Sequence, residues 1–362
     1  RHCHGAAMKP LALPAAPRVL VVALRRLGDV LLTTPLIRSV KRAFPASAID
    51  VLVFAGTEGI LAGNPDLAAI RTVPQRSSAG ESLALIGRLF KRYDLALTTQ
   101  TGDRPTLYAV MAGRHSAGPV QADGTSAAIK RLALSRHYVS DRHAHRVVDL
   151  LRLAEAIGIA PHDEIVPPAG GTRPALAPPQ PYAVIHAAPM FRYKRWTDDG
   201  WRALAAALSQ RGLGAVVTGA ADDRAYLDNV WRDSAVVRLD GKIAWPDLTA
   251  LVADAAVYVG PDTAITHLAA ATGTPTVALY GPTDPRLWGP WPRGGLDRLW
   301  AAAGTIQQRG NVWLVQNPLP CLPCQLEGCE RRLDSHSQCL DELSAAQVMT
   351  AVDQALRVRQ AA

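Results

Sequence analysis

Several stretches of this 362-residue chain hold residue types at spacings that can do chemistry. The first is Arg25-Arg26-Leu27-Gly28-Asp29, directly after an apolar run. Gly28 permits a tight turn, and Asp29 then stands at the start of a helix. An acid there either caps the helix or acts as a general base facing a cleft, and a helix N-terminus favours its ionised form. The second is HAAPMFRYKRW, residues 186–196, where Arg192, Lys194 and Arg195 concentrate positive charge after another apolar run. That charge suits a leaving diphosphate, with no metal needed; the alternative is a solvated loop with surface ion pairs. The third is VGPDTAITHL, 259–268, followed by TVALYGPTDP, 276–285. Asp262-Thr263 opens a helix whose free backbone N–H groups make an anion site, and a second turn follows at 281–285. Two such turns on neighbouring strands suit a nucleoside diphosphate. Asp262 is otherwise a helix cap and His267 a satisfied core histidine. Between these blocks, Gly219-Ala220-Ala221-Asp222-Asp223 offers two acids near a strand end, where ribose hydroxyls are often held; both are equally explained as acids favoured by a helix dipole.

The last stretch is cysteine-rich. Cys3 stands alone, whereas Cys321, Cys324, Cys329 and Cys339 follow the pattern C-x2-C-x4-C-x9-C. In a reducing compartment this pattern favours a closed structural zinc or iron site over disulfides, although reduced thiols are the other reading. Four thiolates would leave no open position for catalysis.

Positioning these residues takes elements that end where the chemistry begins. RVLVVAL at 18–24 is a continuous apolar run, as expected of a strand buried on both faces. A helix is predicted over 29–43, disturbed by Pro35. Strands are predicted at 49–54, 70–73 and 94–98, with helices near 58, at 81–92 and at 146–157. Residues 166–181, with six prolines and two glycines, form a semi-rigid linker. The alternation then restarts with strands at 182–186, 215–218, 236–239, 256–260 and 276–280. Helices are predicted at 197–211, 222–231, 245–253 and 263–271. Alternating strands and helices imply parallel sheets, whose ligands sit beyond the carboxyl ends of the strands.

The resulting organisation is an irregular segment 1–17, a domain 18–165, the linker 166–181, a domain 182–343 that includes the cysteine-rich stretch 321–339, and a final helix within 344–362 packing back across the domains. Residues 1–7 precede Met8-Lys9, a candidate start. With 48% apolar and 19% charged residues, the chain can bury two cores and does not have the composition of a disordered one. The net charge of +8 suits an anionic partner. No block of five or more basic residues occurs, so nucleic acid is not expected. No apolar run is long enough to span a membrane. The single glycine after the first strand argues against a nicotinamide dehydrogenase, which needs a glycine-rich turn there.

LRRLGDVLLTTPLIRSVKRAFP, PMFRYKRW, GPDTAITHLAAATGTPTVALYGPTDP and the cysteine-rich tail together resemble glycosyltransferase family 9, the ADP-heptose:lipopolysaccharide heptosyltransferases. The PM-x-x-YK-x-W block and the C-x2-C-x4-C tail look most like the heptosyltransferase III branch. The resemblance runs over about 18–358. It implies a GT-B α/β fold, with two Rossmann-like doubly wound domains facing a central cleft, acceptor on the first and donor on the second. The activity implied is inverting, metal-independent transfer of a heptose from ADP-heptose to the anionic inner core of lipopolysaccharide. Another nucleotide sugar or acceptor, or a non-catalytic binding protein of the same fold, are the alternatives.

By resemblance Asp29 matches the general base and Lys194 the lysine on the donor phosphate. Asp262 matches the acid that holds heptose hydroxyls. Thr263, Ala264 and Ile265 supply backbone donors near the diphosphate, and His267 matches a histidine of the same block. Asp222 or Asp223 matches a further donor-site acid, and Arg25, Arg26 and Gly28 belong to the acceptor side. Where family members often carry Thr-Thr, this chain has Ala188-Pro189. No catalytic cofactor is implied. The expected location is cytoplasmic, with peripheral contact at the inner membrane.

Overall fold

In the computed structural model, residues 11–179 and 181–361 are described; Cys3 and most of the irregular start lie outside them. The chain divides into two units, Arg1–Val166 and Pro167–Ala362.

The first unit runs β1 (Arg18–Ala23), α1 (Leu27–Leu31), α2 (Thr34–Ala43), β2 (Ala48–Phe54), β3 (Ala69–Val73), α3 (Ala79–Leu89), β4 (Tyr93–Thr98), α4 (Asp103–Ala112), β5 (Gly113–Val120), α5 (Thr125–Ala133), β6 (Arg136–Val139) and α6 (Arg146–Ala156). Its sheet has the order β3-β2-β1-β4-β5-β6, all parallel. This is the doubly wound Rossmann order, whose direction reverses between β1 and β4. Val19 to Ala23 are wholly buried, as the unbroken apolar run requires, and Leu20 and Val22 pack with Leu85, Leu89 and Tyr108 from α3 and α4. Each such side chain contributes about 1.5–3 kcal/mol of burial. The helix predicted over 29–43 is two helices, α1 and α2, with Pro35 in the first turn of α2. Proline is tolerated there because that N–H has no intrahelical partner. Between β4 and α6 the unit holds α4, β5, α5 and β6, which were not predicted.

The second unit runs β7 (Tyr182–His186), α7 (Asp198–Gln210), β8 (Gly214–Thr218), α8 (Arg224–Val230), β9 (Val237–Arg238), α9 (Trp245–Asp254), β10 (Val257–Pro261), α10 (Ala264–Thr272), β11 (Thr276–Leu279), α11 (Pro285–Trp288), β12 (Ile306–Arg309), β13 (Val312–Val315), α12 (Gln338–Asp341) and α13 (Ala345–Ala361). The sheet order is β12-β13-β11-β10-β7-β8-β9, parallel except that β12 runs against β13. Here the reversal lies between β7 and β10. One face of the sheet carries Ile185, Val259, Leu279 and Val315, packed with Trp201 and Leu204 of α7 and Val348 and Val352 of α13. The other carries Ala278, Tyr280, Val312 and Leu314 with Trp300. α13 packs on α7, β10, β11 and β13 of this unit. The proline-rich linker is also docked: the Thr172 N–H donates to Asp247 Oδ1 at 2.8 Å and Arg173 pairs with Asp254 at 3.6 Å.

Candidate functional site

The exits of β7 and β10 flank the reversal point of the second sheet, and each delivers one charged side chain. After β7 a short 3-10 turn, Arg192–Lys194, carries Lys194. After β10 comes Asp262. Lys194 Nζ donates to Asp262 Oδ2 at 2.5 Å, with the two side chains 21% and 9% exposed. Thr283 Oγ1, from the turn after β11, donates to the same oxygen at 2.7 Å. Tyr280 Oη lies 3.3 Å and His267 Nε2 3.8 Å from Oδ1. Burial pushes the Asp262 carboxyl up. The charges of Lys194 and His267 and the hydrogen bonds from Lys194 and Thr283 outweigh it and hold the group below the usual carboxylate range.

Asp262 does not cap α10. Its neighbour Thr263 takes the N-cap position, with extended backbone and no side-chain capping bond. The first-turn N–H groups of Ala264 and Ile265 are therefore left for an outside acceptor. Gly273, at φ 87, ends α10 in the left-handed conformation that glycine adopts without strain. The structure thus brings Lys194, Asp262, Thr263, Ala264, Ile265 and His267 together at one strand-end crevice. Thr283 and Tyr280 belong with them and were missed as individual residues, although both lie in the TVALYGPTDP block.

The remaining donor-side expectations separate. Asp223 is occupied locally: its Oδ2 accepts the Ala220 N–H at 2.9 Å. Asp222 is exposed on the same turn, beyond β8. Arg195 turns from Lys194 to lie over the Tyr226 ring at 3.8 Å. Ala187 and Ala188 are buried and present no side-chain polar group.

The cysteine-rich stretch braces this crevice. Ser337 Oγ donates to Tyr193 O at 2.7 Å, beside Lys194, and the Gln325 N–H donates to Pro282 O at 2.8 Å. A Cβ on Gly281 would lie 2.8 Å from Leu340 and 3.3 Å from Cys339 Sγ, so the turn needs glycine to pack this closely. Trp196 Nε1 donates to Leu343 O at 2.7 Å, fixing the far end of the loop. Cys339 is buried while Cys321 and Cys329 are exposed. Burial and the three neighbouring thiols push the Cys339 thiol up to about 12. Among the described residues, no three His, Cys, Asp or Glu side chains are gathered as a metal site.

In the first unit Asp29 lies in the first turn of α1, whose N-cap is Arg26. Its carboxylate caps nothing. Oδ1 accepts from Arg25 Nη2 at 3.0 Å and faces Arg146 Nε at 3.8 Å. Gly28 is half-buried in the same turn and Arg26 is exposed. Arg146 was not singled out from the sequence.

Two Rossmann-like units built on parallel strands make up a GT-B fold. The chain belongs to glycosyltransferase family 9 (heptosyltransferase), whose profile matches residues 83–295, more than half of it. It is 29% identical over 297 residues to lipopolysaccharide heptosyltransferase 3 of Escherichia coli, covering 76% of this chain and 86% of the relative. Among solved structures it is similar to E. coli ADP-heptose lps heptosyltransferase II, with TM-score 0.72, 19% identity and coverage of 95% of this chain and 99% of the other. E. coli heptosyltransferase WaaC with ADP matches with TM-score 0.71, 22% identity and coverage of 93% and 99%. The expected fold and family therefore hold. No helix among the described residues is long and apolar enough to cross a membrane.

Proposed function

We propose that this glycosyltransferase moves a heptose from ADP-heptose to the inner core of lipopolysaccharide, inverting the anomeric centre without a catalytic metal. The observation that carries the donor side is the Lys194–Asp262 pair beside the first turn of α10, at the reversal point of the second sheet. An ammonium has three donors. Lys194 can keep Asp262 while meeting a phosphate oxygen, and the α10 N–H groups take the other phosphate oxygens. Asp262, held ionised, accepts from sugar hydroxyls, and Asp222 is the acid free to reach a ribose. The relatives support this reading: one solved structure holds ADP, and the related curated protein is a lipopolysaccharide heptosyltransferase.

On the acceptor side Asp29 takes the proton of the attacking hydroxyl. The oxygen forms a bond to the anomeric carbon from the face opposite the diphosphate. The bond to the β-phosphate oxygen breaks, and its electron pair leaves with ADP, where Lys194 and the α10 amides balance the charge. Arg25 and Arg26 supply positive charge for an anionic glycolipid, presented at the inner membrane's cytoplasmic face.

The test is a donor panel read by thermal shift. ADP-heptose is expected to stabilise the wild type and Asp29→Ala alike, and UDP-sugars neither. Stabilisation by UDP-sugars alone would replace the donor assignment. A wild type that turns over no faster than Asp29→Ala would make the chain a binding protein. The four cysteines stand apart from the reaction. We propose that a zinc or iron held by these cysteines would be structural only.

A further inference from the structure

Asp29 is held by more than its neighbour in sequence. Arg146 opens α6, and its side chain is 11% exposed. A buried cation at a helix N-terminus sits at the positive end of the dipole and is unfavourable unless something compensates. Two features do. Nη2 donates to Thr99 O at 2.7 Å, just past β4. Thr99 is itself tied to the end of β1: its N–H and its Oγ1 both donate to Val22 O at 3.1 Å. The other feature is Asp29, whose Oδ1 faces Nε at 3.8 Å, too long for a hydrogen bond. Nε is buried and has no hydrogen-bond partner. Burial pulls the Arg146 pKa down; Asp29 opposes that shift, as do Tyr138 and Asp149, while Arg25 adds to it. Arg25 approaches the same Asp29 oxygen, but its side chain is 38% exposed.

We infer that Arg146 is a positioning residue for the reaction: with Arg25 it engages Oδ1 of Asp29 and leaves Oδ2 to take the acceptor's proton. Arg25 holds the carboxylate from the solvent side, while Arg146, anchored through Thr99 to the reversal point between β1 and β4, holds it from the protein side. This rests on Asp29 being the base.

The experiment compares wild type, Arg146→Ala, Arg146→Lys, Arg146→Gln and Asp29→Ala in ADP release with a truncated lipopolysaccharide acceptor, with melting curves and donor affinity alongside. Arg146→Ala is expected to lose about 100-fold in kcat, the order of effect that misplacing a reacting group produces. Its donor affinity stays at the wild-type value. Arg146→Lys keeps more turnover than Arg146→Gln, because charge rather than shape holds Oδ1. Millimolar guanidinium restores part of the kcat of Arg146→Ala and none of Asp29→Ala. Since guanidinium destabilises folds, such recovery does not come from refolding. Wild-type kcat in Arg146→Ala overturns the inference, as does a loss that guanidinium leaves unchanged or Gln equal to Lys. If Arg146→Ala fails to fold, the Lys and Gln pair decides. Full turnover in Asp29→Ala instead removes the base itself and leaves the Arg146 results to be read as structural.

Discussion

Replacing Lys194 by Met separates two roles of one cation. Asp262 is 9% exposed and its Oδ2 lies 2.5 Å from the Lys194 ammonium. Methionine keeps the stem volume and removes the charge, leaving a buried carboxylate with Thr283, Tyr280 and His267 alone. Breaking a buried pair from one side costs about 3–5 kcal/mol; with Lys194 21% exposed, the lower end applies, about 3 kcal/mol. For a unit of this size, roughly 2–4 °C per kcal/mol makes that a melting shift of about 6–12 °C. Turnover should fall by about 10²–10³, the loss expected for one electrostatic stabiliser of a leaving group. Adding Asp262→Asn removes the orphaned charge. The double variant should therefore regain most of the lost stability and none of the lost turnover. Calorimetry and ADP release on the four proteins of this cycle give both numbers. A double variant that recovers turnover, or a Lys194→Met variant within threefold of wild type, would refute the assignment of Lys194 to the diphosphate.

Other outcomes follow from single side chains. His186 ends β7 buried, its Nδ1 3.2 Å from Thr218 O, and burial drives its pKa from the usual 6.5 down to about 4. The unfolded chain then binds the proton first, so stability is full above pH 6.5 and falls as pH drops toward 4, by about 3 kcal/mol in all; His186→Gln should flatten the melting curve's dependence across that window. Asp222→Asn is expected to weaken donor binding at unchanged stability, whereas Asp223→Ala should cost about 1 kcal/mol of stability through its lost turn contact; calorimetry on both variants reverses the assignment if the effects swap. Elemental analysis should find about one zinc or iron per chain, lost in Cys339→Ser, with turnover of the wild type unaffected by a chelator that spares the fold; metal-free protein with normal stability removes that site.

The sequence is legible where one period dominates. β1, β7, β10 and β11 are short, mostly apolar runs with polar residues at their exits, so strands and ligand-bearing turns are found together. The 103–139 stretch is opaque for a local reason. β5 reads GRHSAGPV, with glycine, histidine and proline in a strand; the close approach of Thr98 and Ala96 forces glycine at 118 and 113 and hides the apolar pattern. Likewise α4 carries a proline in its first turn, which looks like a loop. β12 and β13 are four residues each, too short to show alternation against the tryptophans and glycines around them. Within the site, the backbone-defined positions at 262–265 could be read directly because helix starts are local. Arg146 could not: it meets Asp29 only because α6 begins near the point where β1 and β4 part, a proximity set by strand order and not by spacing in the chain. Asp222 and Asp223 likewise differ only in coordinates: Asp223 accepts the Ala220 N–H, while Asp222 is exposed on the same turn.

The most direct measurement of the central claim is ADP release from ADP-heptose in the presence of a truncated lipopolysaccharide acceptor, followed by determination of the anomeric configuration of the product. Wild type should release ADP and form the linkage opposite in configuration to the donor, and Asp29→Ala should be slower by about 10²–10⁴ while still binding donor. Retained configuration, or no ADP release from any core acceptor by a well-folded protein, would contradict it.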